Sequence, residues 1–116
     1  MSTFNKAKLS GTTEGAPLVI TAINSTGAQT IHTCATSSGT NIWDEMYVFA
    51  HSNDIGCDLT LEYGSTSAII KQRISTGKGL IPLLPGTVGN GALVLKAFKT
   101  SSSADVLVSG WVNTIR

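Results

Sequence analysis

The chain has 116 residues, 41% of them apolar and only 13% charged, with eight basic against seven acidic residues and a formal net charge of +1. That length is one domain with room for its own core. The near-neutral charge without a run of Lys or Arg excludes broad electrostatic binding to nucleic acid or an anionic membrane, and the high β-branched content excludes disorder.

The first residues, Met1-Ser2-Thr3-Phe4-Asn5-Lys6, lack the basic-then-apolar pattern of a signal peptide. No apolar stretch reaches membrane-spanning length. The expectation is a soluble product of the cytosol, with Cys34 and Cys57 reduced and placed as small hydrophobes in strands. Residues 1–15 read as an arm, either frayed or ordered on a partner through Phe4, Lys6, Lys8 and Leu9. Residues 16–116 read as one β domain.

Pro17 opens a strand over Leu18–Ile23, and Asn24 to Gly27 supplies a turn. A second strand is predicted over Gln29–Ala35, with Ile31, Thr33 and Ala35 on one face and His32 and Cys34 on the other. After a polar loop over Thr36–Asn41, Ile42 and Trp43 lead into a strand over Glu45–His51. That strand is apolar on both faces, as in a central position covered twice. Cys57–Tyr63 alternates cleanly: Cys57, Leu59, Leu61 and Tyr63 inward, Asp58, Thr60 and Glu62 toward water.

Ser67–Ile74 forms a fifth strand. Leu80–Gly86 is apolar but carries Pro82 and Pro85, so it is an edge strand or an extended crossing loop. Asn90-Gly91 turns the chain into Ala92–Lys99. Asp105–Ile115 is the last strand. About eight strands at this spacing predict an all-β fold, a single β-sandwich of jelly-roll or Greek-key type.

Chemistry-bearing patterns are sparse. His32 and His51 lie on different strands without paired metal-ligand spacing. A site from His51, Asp54, Cys57 and Asp58 is conceivable, but loop solvation and a packed thiol explain these residues. There is no nucleophile elbow, and Gly77-Lys78-Gly79 lacks the upstream glycine of a phosphate loop. Asp44 and Glu45 are neighbours and point to opposite faces; Asp58 and Glu62 share the solvent face. Asn24-Ser25-Thr26 is a glycosylation sequon without a secretory signal. The reading is therefore no catalytic residue, no metal and no cofactor.

Trp43 and Trp111 read either as core or as a partner or oligomer interface, and with Pro82 and Pro85 they are the interface candidates. Large aliphatics occupy both phases of Leu18–Ile23, Ile69-Ile70 and Leu93–Phe98. A lone sandwich alternates more cleanly, so the outer faces are expected to be covered in an oligomer.

Three stretches in the C-terminal part carry a family resemblance. They are Gly79-Leu80-Ile81-Pro82-Leu83-Leu84-Pro85-Gly86, then Asn90-Gly91-Ala92-Leu93-Val94, then Val106 to Ile115 with its Gly110-Trp111-Val112-Asn113 core. Residues 44–116 so resemble small virion structural proteins of tailed bacteriophages. The resemblance implies a β-sandwich decoration (cement) protein, commonly trimeric, located in the virion and bound to the major capsid protein or other virion proteins. It supplies no catalytic residue. A tail, baseplate or fibre-attachment component is the nearest alternative. A carbohydrate-binding module using Trp43 or Tyr47 as a stacking platform is the alternative of another class.

Overall fold

A computed structural model describes residues 4–35 and 42–115. Residues 1–3, the predicted loop over 36–41 and residue 116 lie outside the described residues. No helix forms among those described.

Nine strands are present: β1 (Phe4–Lys8), β2 (Leu18–Val19), β3 (Gln29–Thr33), β4 (Trp43–Ser52), β5 (Cys57–Tyr63), β6 (Ile69–Ile74), β7 (Ile81–Gly89), β8 (Val94–Lys99) and β9 (Val106–Ile115). One sheet has the order β1-β9-β4-β7, with β2 also paired to β9; the other has the order β3-β8-β5-β6. Every pairing is antiparallel. The pairs β2·β9, β3·β8, β4·β7 and β5·β6 nest inside one another, like rungs of one long hairpin rolled onto itself. That is the jelly-roll form of the expected sandwich.

The core lies between the sheets. The even-numbered residues of β4 and β9 point inward, with Met46, Val48, Ala50, Val106 and Val108 fully buried. They meet Ile31, Leu59, Leu61, Ile74 and Leu95 of the other sheet. Both cysteines are free thiols within this core.

The segment predicted as an arm is, from Phe4 onward, part of the sandwich. β1 pairs with β9 from Phe4↔Ile115 to Lys8↔Trp111. Leu9 is wholly buried in the core. Gly11 N donates to Ile31 O, and Thr33 N donates to Ser10 Oγ, so the following turn caps the free side of β3. The few apolar residues hid this, because β1 contributes main-chain bonds rather than a greasy face.

Three further expectations change. The first strand shrinks to Leu18–Val19, after which the chain crosses between sheets: Ile20 N donates to Val106 O and Lys99 N to Ala22 O. In β3 the register shifts between Thr30 and His32, so Ile31 and His32 are both buried instead of alternating. In β5, Thr60 and Glu62 are buried, not wet, and Ser25 reaches over this face to donate to Glu62 Oε2. The proline-containing segment is an edge strand, as one of its two predicted forms had it, and runs on to Gly89.

Candidate functional site: an aromatic sheet face and a buried polar cluster

Odd-numbered residues of β4 and β9 face away from the core. Tyr47 stands directly opposite Trp111 in the β4·β9 register. Their ring centroids are 4.9 Å apart at 15°, and Phe49 stacks on the same indole at 5.8 Å and 25°. The Lys6 ammonium lies 4.9 Å from the centre of the Trp111 ring. β4 and β1 flank β9 on opposite sides, so one indole face meets aromatic rings and the other a cation.

The row continues onto β7. Gly86 has φ +96°, and a Cβ there would come within 3.2 Å of the Tyr47 hydroxyl and 3.3 Å of its ring carbons, so its lack of a side chain lets the tyrosine lie against the strand. Pro85 pairs with Tyr47 and Pro82 with Phe49. Trp43, Trp111, Pro82 and Pro85, the residues expected at an interface, therefore share this one face. Trp43 is 38% exposed, both prolines are exposed and Trp111 is half-buried. Val19, paired with Leu107, extends the apolar strip and is 48% exposed.

Of the four arm residues, Lys6 joins this face and Lys8 donates to Thr12 O at 2.8 Å. Leu9 serves the core, and Phe4 pairs with Ile115 through its main chain. Tyr47 Oη donates to Glu45 Oε1 at 2.6 Å, and Asn113 Nδ2 donates to the same oxygen at 3.3 Å. These bonds pull the Glu45 carboxyl below its usual range, and the bond to Glu45 pushes the Tyr47 phenol up.

The second constellation is buried. Asp44 Oδ2 accepts from His32 Nε2 at 2.7 Å and from Ala35 N at 3.0 Å. Its Oδ1 accepts from Thr114 Oγ1 at 2.8 Å. Ser10 N donates to His32 Nδ1 at 3.0 Å, which assigns the ring proton to Nε2. Asp44 thus joins β3, β4 and β9 across the two sheets, and His32 adds the turn after β1. Sequence reading missed this pair. Its one visible signal is a carboxylate in the inward phase of β4.

His32, Cys34 and Asp44 place their ligand atoms within 4.8 Å of one another, the one such group of three among the described residues. Cys34 Sγ also lies 3.9 Å from Met46 Sδ. The donor set would suit a soft or borderline cation, but the hydrogen bonds do not. A metal on Nε2 needs the ring proton on Nδ1, and Ser10 N already points its own proton there. Both ring nitrogens are committed, so neither can activate the thiol. His51, Asp54, Cys57 and Asp58 do not converge on a site: Asp54 Oδ1 accepts instead from Ile55 N and Asp105 N.

Burial, and then the Asp44 charge, push the Cys34 thiol up to about 11; burial also pushes Cys57 up. Against the ordinary value of 9.0, Cys34 holds about 100-fold less thiolate at pH 8. Native protein is expected to resist iodoacetamide at both cysteines, whereas guanidinium-unfolded protein labels at both. Native labelling of Cys34 at the unfolded rate would refute the buried-thiol assignment.

Two clefts open on the surface of the described residues. One, of about 230 Å³, sits on the outer face of the four-stranded sheet between Glu62, Lys96 and the Gly64–Thr66 turn. The other, of about 340 Å³, runs between β6 and β7 and is lined by Tyr63, Ala68, Ile69, Ile70 and Thr87. No family of known proteins, no curated protein and no solved structure matches this chain.

Proposed function

We propose that this chain is a non-catalytic structural protein of a virus particle, a jelly-roll cement subunit that oligomerises and bridges major capsid subunits of a tailed-phage head. The observation that carries the reading is the aromatic outer face of the five-stranded sheet. Tyr47, Phe49 and Trp111 with Pro82, Pro85, Val19 and Trp43 make a face rich in the residue types that dominate interface energetics. A solitary sandwich gains nothing from exposing them. The resemblance of residues 44–116 to small phage virion proteins supplies the particle, and a trimer is the expected assembly. Jelly rolls recur in viral capsids and also in lectins, so the fold alone does not select the function. A tail or baseplate position is the neighbouring reading.

The carbohydrate reading needs a free ring face, and this packing weakens it. Tyr47 stacks one face on Trp111 and has its phenol end beside Gly86, and Trp111 is engaged by Tyr47, Phe49 and Lys6. Trp43, 38% exposed and outside this stack, is the platform that the carbohydrate reading retains.

Light scattering of the purified chain is expected to give a trimer, and the protein is expected to co-sediment with phage heads stripped of accessory proteins. Phe49→Asp should weaken self-association by about 2 kcal/mol, roughly 30-fold, with an unchanged circular dichroism spectrum. Co-sedimentation with tails alone would move the protein to the tail. A monomer that binds neither heads nor tails would overturn the proposal.

A further inference from the structure

Among the described residues β6 pairs only with β5, leaving one row of its main-chain N–H and C=O groups at a sheet edge. Two of the other edges, those of β7 and β3, are better closed. The prolines at 82 and 85 remove donors from β7, and the Ser10-Gly11 turn occupies the side of β3.

The side-chain phase of β6 shows a gap. Ile70, Gln72 and Ile74 pair with Leu61, Leu59 and Cys57, all inward and buried. Ile74 is accordingly fully buried, yet Ile70 in the same phase is 39% exposed. The sandwich opens here, and the cleft of about 340 Å³ beside Tyr63 and Thr87 is the space an inward side chain would fill. Tyr63 Oη, donating to Val88 O, fixes one wall.

The charges choose the occupant. Lys71 and Arg73 lie in the outward phase; Lys71 has no ion pair among the described residues, and Arg73 has only the exposed, 3.4 Å contact with Asp58. A second copy of β6 would bring like charges together. Among the described residues no edge strand carries a carboxylate: β1 is Phe-Asn-Lys-Ala-Lys, β3 Gln-Thr-Ile-His-Thr, and β7 has no charge at all.

We infer that β6 is a strand-acceptor edge that takes an extended segment of a different protein, alternating apolar and acidic. The segment's main chain pairs with β6, an apolar side chain fills the cleft over Ile70, and its carboxylates meet Lys71 and Arg73. This goes beyond the cement reading and stands independently of which particle the chain decorates.

The test uses an acetylated peptide alternating valine and glutamate, a second with lysine for glutamate, and amide chemical shifts of the full chain. The acidic peptide is expected to give saturable shifts confined to residues 67–74 and 87–88, with slowed exchange of β6 amides, and the lysine peptide none. The exposed double change Lys71→Glu with Arg73→Glu should reverse the preference by at least about tenfold. Absent shifts at β6, equal binding of both peptides, or an acidic preference surviving the charge reversal would each overturn the inference. So would self-association of the chain through β6.

Discussion

Replacing Gly110 by alanine is expected to cost ~4 kcal/mol or more, enough to leave the protein largely unfolded. Gly110 lies opposite Val48, in the middle of the β4·β9 pairing, where β9 changes partners from β2 at Val108 to β1 at Trp111. Its φ is +152°, and a Cβ built there would lie 1.9 Å from Tyr47 O and 3.1 Å from Val48 Cα. Both obstacles are main chain, so no rotamer change relieves them. The strands must separate at the pairing that holds the five-stranded sheet together. Ser109→Ala, one residue away on the outer face, should stay within about 0.5 kcal/mol. Urea unfolding of both variants checks this. A Gly110→Ala midpoint equal to wild type would mean that β9 does not run as described.

Asp44→Ala is expected to destabilise by about 3–5 kcal/mol, because it strands the buried His32 Nε2 donor and the half-buried Ala35 N. Asp44→Asn should cost only about 1 kcal/mol. The amide oxygen can still accept from His32 and Ala35, while its nitrogen donates to the Thr114 hydroxyl, which had donated to Oδ1. The two variants therefore separate a need for acceptors from a need for charge. Equal losses for alanine and asparagine would show that the cluster depends on the carboxylate charge, and the proton assignment drawn from Ser10 N would fail.

Much of the fold was legible in local patterns. Alternation placed Leu59 and Leu61 inward, and two prolines marked β7 as an edge, because a missing donor is a property of the residue itself. The interface candidates Trp43, Trp111, Pro82 and Pro85 could be chosen by type. Their sharing one face could not, since it follows from the β4·β7 and β4·β9 registers. The arm was misjudged because a strand that adds mainly backbone bonds has little apolar signature. Thr60 and Glu62 looked solvated because nothing local reveals a loop folding over them.

Composition and alternation by themselves determined an all-β sandwich with its thiols in core positions. Only the tertiary structure decided that Lys6 covers Trp111, that His32 meets Asp44, and that Ile70 is left bare in an inward position. The physical reason is the range of the forces concerned. Strand propensity and side-chain alternation act between near neighbours in sequence, whereas these contacts join residues set side by side by strand order and bulged register.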